Sequence, residues 1–313
     1  MSRVTTYSDD TRRWRLIEAD ALDTLAHLPD SCIDAIVTDP PYGISLGGEA
    51  WDRFGDGPDA FERWSSQWAA EASRVLKPGG HLLAFGAPRT FHRLVAGIED
   101  AGLEVRDQLL WLYAQGMPKS RRLPGGLGTL LKPAYEPILI ARKPLAGTTI
   151  DNLQQFGTGA LNIEAARVGG ASGYWPANVA ASHSPDCPVA LLDGERIGPS
   201  RLFFCAKATK REREAGCEQL PQRSAQLYTG TGRPARERRN THPTVKPVEL
   251  MRWLVRLAVP QGGVVLDPFA GSASTGIAAV VEGRRFLGIE RESEYVDIAC
   301  ARLSHWAAEG QSR

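Results

Sequence analysis

Between Gly263 and Leu303 short apolar runs alternate with helical stretches in an order that few folds accommodate. Gly263-Val264-Val265-Leu266-Asp267-Pro268-Phe269 reads as a short buried strand, and Ala270-Gly271-Ser272-Ala273-Ser274-Thr275-Gly276 as a turn of small residues. Ile277 to Glu282 continues as a helix that stops at Gly283, since glycine adopts the left-handed conformation that ends helices. Arg285-Phe286-Leu287-Gly288-Ile289-Glu290 is a second strand ending in an acid, and a helix follows from near Glu292 with apolar positions at Tyr295, Ile298, Ala299 and Leu303. Strand, helix, strand and helix in this order predict a doubly wound α/β sheet. The turn matches neither the glycine pattern of dinucleotide sites nor the phosphate loop of nucleoside-triphosphate enzymes. A nucleoside without phosphates fits better, because small residues let backbone amides approach a carboxylate and Glu290 can accept both ribose hydroxyls. S-Adenosylmethionine carries those groups. Tight helix–strand packing alone would account for Ser272 and Ala273 but leaves the acid at 290 unexplained.

A second apolar run, Ile33-Asp34-Ala35-Ile36-Val37-Thr38, ends in Asp39-Pro40-Pro41-Tyr42. Bounded by prolines, it reads as a buried strand delivering a rigid turn to the carboxyl edge of the sheet, where open α/β sheets hold their ligands. The turn combines an acceptor, two residues with fixed φ and no N–H, and a flat aromatic. Such a corner grips an exocyclic amino group, the carboxylate and nearby carbonyls accepting from it while the ring stacks on its heterocycle. That chemistry describes a nucleobase. A proline-rich strand end with a surface tyrosine is the plainer alternative, and four-residue motifs also arise by chance.

The chain of 313 residues is long enough for one large α/β domain with an insertion, or for two domains. At 42% hydrophobic and 23% charged its composition is that of a globular protein. It has no apolar run of about 18 residues to span a membrane, and no apolar signal core follows Met1. Cys32, Cys187, Cys205, Cys217 and Cys300 are odd in number and scattered, which favours free thiols in a reducing cytoplasm. His183, Cys187, Cys205 and Cys217 match no standard zinc spacing, so no metal is expected. Net charge is only +1, but it is polarised: from Arg196 to Lys246 twelve basic residues face four acids, a local excess of eight. A solvated charged face would interleave the two signs; this imbalance suits a polyanion such as DNA. Lys119, Arg121, Arg122 and Lys132 form a second basic stretch.

In this order the blocks resemble the β-class amino-methyltransferases of DNA, whose permuted motifs place the catalytic half before the cofactor half. Trp14-Arg15-Leu16-Ile17-Glu18-Ala19-Asp20-Ala21-Leu22, with Leu25 and Leu28, resembles the family's opening strand and helix; Asp39-Pro40-Pro41-Tyr42 resembles its catalytic turn. Gly43 and Trp51-Asp52 fit the glycine-rich loop after that turn, Thr241-His242-Pro243-Thr244-Val245-Lys246-Pro247 the motif before the cofactor strand, and Asp267-Pro268-Phe269-Ala270-Gly271-Ser272 the cofactor motif. Ala273 departs from the pattern, standing where a second glycine is frequent. The resemblance covers residues 14–143 and 241–305. It implies a class I methyltransferase, Rossmann-like: a doubly wound, mostly parallel seven-stranded sheet. His81 to Gly86 reads as one more strand of it, and Val105–Trp111 with Glu136–Lys143 as a closing hairpin. The expected organisation is a catalytic half over 1–144, a target-recognition region over 145–240, and a cofactor half over 241–313. The middle region matches no sheet unit and is rich in Gly, Pro, Ser and Arg, with a loose stretch from Tyr228 to Pro234; a linker is the alternative there.

From the resemblance, Asp39, Pro40, Pro41 and Tyr42 are the expected catalytic residues. Asp20 is expected at the adenine of S-adenosylmethionine, Glu290 at its ribose, and Thr244, Lys246, Asp267, Pro268, Phe269, Gly271 and Ser272 around its methionine end. Lys246 has a DNA phosphate as its other expected partner. Arg121, Arg122, Lys207, Lys210, Arg211, Arg236, Arg238 and Arg239 are candidates for binding double-stranded DNA. An acid at position 39 is more usual in the adenine-N6 enzymes of the family and serine in its cytosine-N4 enzymes, so adenine is the expected base. Cytosine N4 and a silent DNA-binding module remain the alternatives. A homodimer and a cognate restriction endonuclease are the partners the family suggests.

Overall fold

The computed structural model describes residues 4–55, 57, 59–113, 123–181, 202–225 and 236–309, without the side chains of 47, 225 and 236. The amino-terminal part contains β1 (Thr5–Ser8), β2 (Trp14–Glu18), α1 (Ala21–Leu25), β3 (Ile33–Thr38), α2 (Ala60–Val75), β4 (Leu76–Phe85), α3 (Phe91–Asp100), β5 (Glu104–Leu112) and β6 (Tyr135–Arg142). The middle region adds α4 (Thr149–Phe156), β7 (Val179–Ala181), β8 (Phe203–Phe204), α5 (Lys210–Glu214), β9 (Arg223–Ala225) and β10 (Arg236–Arg238). The last part supplies α6 (Val248–Ala258), β11 (Val264–Asp267), α7 (Ser274–Val281), β12 (Arg285–Glu290) and α8 (Ser293–Glu309).

One sheet runs in the order β1-β2-β12-β11-β3-β4-β6-β5-β7-β8. From β2 to β4 its neighbours are parallel; β6 enters antiparallel between β4 and β5. The sheet therefore has ten described strands where seven were expected. The additions lie at its edges: β1 pairs antiparallel with β2, and β7 and β8 extend the far side in parallel. Runs of three and two residues are too short to show an alternating period, which is why the middle region looked empty of sheet.

Alternate side chains of the strands feed two apolar layers, as pleating requires. Ala35, Val37, Leu83 and Val265 pack with α6, α7 and α8, whereas Ile36, Leu82, Ala84 and Leu266 pack with α1, α2 and α3. The middle region is tied to this body by specific contacts. Phe203 stacks on Trp253 at 4.8 Å, Trp253 Nε1 donates to Ala166 O at 3.0 Å, and Trp111 Nε1 donates to Cys205 O at 3.0 Å. No helix among the described residues is long and apolar enough to cross a membrane.

The chain leaves β11 toward β12 on one side and β3 toward β4 on the other. Their carboxyl ends thus form the switch point where such sheets bind ligands. Thr38 Oγ1 closes the point by donating to Asp267 Oδ1 at 2.7 Å. Because β6 runs antiparallel to β4, its amino end, with Glu136, reaches the same edge; β5 delivers Tyr113 there as well.

Candidate active site

A cavity of about 300 Å³ opens at this edge, within the size range of small-molecule sites. Asp39, Pro40, Pro41 and Tyr42 line one end, and Asp20 and Glu290 line the other. Both ends follow directly from strand termini: Asp39 succeeds β3, Glu290 closes β12, and Asp20 caps α1 just past β2. Asp20 Oδ1 accepts from the N–H of Leu22 at 2.9 Å, which fixes the carboxylate at the cavity wall.

Glu290 is almost fully buried. Its Oε2 accepts from Gly271 N at 2.7 Å, and its Oε1 accepts from Arg291 N at 2.8 Å and Glu292 N at 2.9 Å. Burial pushes its pKa up to about 7 against the pull of those three N–H groups. Gly271 has φ +52°, and a Cβ there would lie 2.6 Å from His242 Nε2. Only glycine fits a backbone that tight. His242, half-buried, is held neutral: desolvation comes first, and the charges of Lys246, Arg213 and Arg302 add to it, lowering its pKa to about 3.

Three residues expected at the cofactor do not line the cavity. Asp267 turns back under the switch point, accepting from Thr38 Oγ1 and from Phe269 N at 3.1 Å; burial raises its pKa to about 6. Ser272 faces the opposite layer, where its carbonyl and hydroxyl accept from Arg302 Nη1 of α8. Lys246 lies against the Asp39–Tyr42 turn, its Nζ donating to Asp39 Oδ2 and to Tyr42 Oη, the latter at 3.3 Å. Thr244, Pro268, Phe269 and Gly271 do line the cavity. Ala273, at φ +58°, caps α7 in the left-handed region, which is the physical reason a glycine suits that place.

Within the Asp39–Tyr42 turn Tyr42 Oη donates to Asp39 Oδ1 at 2.7 Å, and it also lies 3.2 Å from Glu136 Oε2. Glu136 also meets Lys246 Nζ at 3.3 Å and accepts from Tyr113 Oη at 3.2 Å. Desolvation disfavours charge on Lys246, yet Asp39 and Glu136 outweigh it and raise its pKa, so the ammonium persists. The loop after the turn is pinned by Asp52, whose carboxylate accepts from the N–H groups of Tyr42, Gly43, Ile44 and Leu46 at 2.7, 2.7, 3.2 and 2.6 Å. Gly43 is required there, with φ +65° and a Cβ position 2.7 Å from Phe61 Cγ. Trp51, Phe54, Trp64 and Phe269 give the cavity an aromatic wall, Phe54 and Trp64 lying 4.4 Å apart.

Glu136, Tyr113 and the ring of Trp64 were not singled out from sequence, and Asp52 was placed in the glycine-rich loop without its role as an acceptor for that loop's backbone. The trace they leave is faint: an acid opening an otherwise apolar strand, and a tryptophan in a helical core stripe with Phe61 and Trp68.

Of the DNA-binding candidates, Arg121 and Arg122 lie outside the described residues, as do the Tyr228–Pro234 stretch and the side chain of Arg236. Lys210 and Arg211 are exposed on α5. Lys207 sits with Nζ 3.6 Å from the centroid of the Tyr113 ring. Arg238 and Arg239 are half-buried, and Arg239 Nη1 donates to Leu220 O. Among the described basic residues Lys246, Arg239 and Arg213 (to His242 O at 2.8 Å) are committed inside the fold, and Arg223 pairs with Glu294 at 3.1 Å on the surface. The charge excess available to a polyanion is smaller than composition suggests. His183 and Cys187 also lie outside the described residues.

The groups present fit S-adenosylmethionine. Glu290 and Asp20 are acceptors for hydroxyl and amino donors, the aromatic wall offers faces to a purine, and the Gly271 turn admits nothing larger than a hydrogen. A family model for DNA methylases, the N6/N4 methyltransferase family, matches residues 33–301. The DNA adenine methyltransferase YhdJ of Escherichia coli strain K12 is 27% identical over 94% of this chain and 85% of its own length. The PvuII DNA methyltransferase, cytosine-N4-specific, shares the fold at a TM-score of 0.62 with 16% identity, covering 96% of this chain and 93% of that one. A DNA modification methylase from Thermus thermophilus, complexed with S-adenosylmethionine, does so at 0.52 with 22% identity and 93% of each chain. The chain belongs to the N6/N4 family of DNA methylases, enzymes that transfer a methyl group from S-adenosylmethionine.

Proposed function

We propose that the chain methylates the exocyclic N6 of adenine in duplex DNA, with the motif order of the β class. The observation that carries this reading is one cavity bordered by an acid for a nucleoside at Glu290 and by the Asp39–Tyr42 turn for an amine. Adenine is preferred because an acid occupies position 39, and the E. coli relative named an adenine methyltransferase agrees with that choice.

A base in a duplex is inaccessible, so it must be flipped out at a cost of a few kcal/mol. Tyr42 lines the cavity and receives the extruded base on its ring, held in place by its hydroxyl on Asp39 and Glu136. Asp39 has lone pairs left beyond those taken by Tyr42 and Lys246. With the carbonyl of Pro40 it accepts from the amino group, which draws the nitrogen lone pair out of ring conjugation. S-Adenosylmethionine, when bound, would supply the electrophilic methyl group: the amino nitrogen would form the new N–C bond as the C–S bond breaks to leave a neutral thioether, and the N–H proton held by Asp39 would pass to that carboxylate and on to solvent. Glu290 would hold the ribose and Asp20 the adenine; Thr244 and the turn through Gly271 would hold the methionine end. Positioning accounts for much of the acceleration. Residues 1–144 and 241–313 would form one catalytic domain, and 145–240 would read the target, with Lys210 and Arg211 on phosphates.

Labelled methyl transfer to duplex DNA, followed by nucleoside analysis, tests the reading. N6-methyl-deoxyadenosine is the expected product. Asp39→Ala should lower the rate at least about a hundredfold, the scale seen when a group stabilising developing charge is removed, while S-adenosylmethionine still binds. Label in N4-methylcytosine, or full turnover by that variant, would overturn it.

A further inference from the structure

Asp39 is met by two charges of opposite sign from parts of the chain far from its own turn. Lys246 lies 207 residues away and reaches Asp39 from the segment ahead of α6; it is also 3.3 Å from Glu136 Oε2. Glu136, from β6, accepts from the same Tyr42 hydroxyl that donates to Asp39. The side chains of Lys246, Asp39 and Glu136 are only 6%, 16% and 17% exposed, so water screens these charges weakly.

We propose that Lys246 and Glu136 are positioning residues that set the charge on Asp39 in opposite senses, Lys246 holding it as an anion and Glu136 drawing on the same ammonium. The inference rests on the acceptor role given to Asp39 above. An ammonium bound to Asp39 alone would compete with the incoming amine for the carboxylate's lone pairs. Shared between two carboxylates, it stabilises the anion and leaves acceptor capacity free. Burial pushes the Asp39 carboxyl upward; Lys246 is the largest opposing influence, and Glu136 adds to the upward push. The other groups facing this cluster are Tyr42 in the turn, Asp267 at the end of β11, Tyr113 after β5, Lys207 beside Glu136, and His242, held neutral, beside Lys246.

The test is the pH profile of the single-turnover methyl-transfer rate for the wild type, Lys246→Met, Lys246→Arg and Glu136→Gln. S-Adenosylmethionine affinity and thermal unfolding are measured on each. The acidic limb should move up by about one pH unit or more in Lys246→Met, the scale for losing an opposite charge in contact. It should move down in Glu136→Gln and stay near the wild-type position in Lys246→Arg. Affinity for S-adenosylmethionine should hold in all three, because neither residue lines the cavity. A purely structural role would scale the rate equally at every pH, and that result, or limbs moving in the same direction, would overturn the inference. If Lys246→Met fails to fold, the sign of the Glu136→Gln shift decides. Turnover by Asp39→Ala sinks the acceptor role beneath; an inactive Asp39→Ala beside unshifted limbs sinks this inference alone.

Discussion

Glu290 titrates near neutrality, and that gives the cofactor end of the cavity a pH dependence of its own. Its pKa of about 7 in the free protein reflects burial opposed by three backbone N–H groups. A carboxylate that accepts two ribose hydroxyls must be ionised, so binding releases a proton below that value and affinity rises as pH climbs through it. S-Adenosylmethionine should bind roughly tenfold more weakly at about pH 6 than at about pH 8.5, measured by titration calorimetry. Glu290→Gln should flatten the dependence; an unchanged slope in that variant would assign the titration elsewhere. Gly271 is the second residue on which this end depends. Gly271→Ala places a methyl 2.6 Å from His242 Nε2 on a left-handed backbone. The backbone alone costs about 1–2 kcal/mol, so urea unfolding should show at least that loss.

The Asp52 carboxylate gathers the start of the loop between β3 and α2. Four N–H groups converge on the Asp52 carboxylate, and hydrogen bonds to a charged acceptor are worth about 1.5–3 kcal/mol each, though not additively. Asp52→Ala should raise amide hydrogen exchange over residues 42–46 and cut methyl transfer, leaving exchange in α6 and α7 unchanged. Exchange that stays slow across the loop would count against Asp52 as its anchor. In α2 the fully buried Trp68 packs edge-on against Phe269 at 5.5 Å. Trp68→Ala should cost about 3–5 kcal/mol, seen as a lowered denaturant midpoint. The strand β3 was legible in sequence as an apolar run bounded by prolines, whereas α2 was not singled out. Asp52 was placed in the glycine-rich loop, but its role as anchor was not legible, since an acid ten residues beyond a turn carries no mark of the backbone it will collect.

At the scale of the whole molecule, strand order decides which distant residues share an edge. The Asp39–Tyr42 turn and Glu290 were readable because each stands at the end of its own strand, and the parallel core brings such ends together. Glu136 was hidden because only the antiparallel entry of β6 brings an amino end to that edge. Lys246 was expected at the methionine end of the cofactor or at a DNA phosphate; in the structure its Nζ meets Asp39, 207 residues away, and no local pattern encodes that distance. The charge excess of the middle region was likewise partly spent inside the fold on Asp39, His242 and Leu220. What joins these parts is the claim that Asp39 receives the amino group of a flipped adenine. The direct test is expression of the wild type and Asp39→Ala in a methylation-free host, followed by modification-sensitive sequencing of host DNA. N6-methyladenine at a defined sequence with the wild type, and none with Asp39→Ala, is the expected result; N4-methylcytosine with the wild type, or N6-methyladenine persisting in Asp39→Ala, would contradict it.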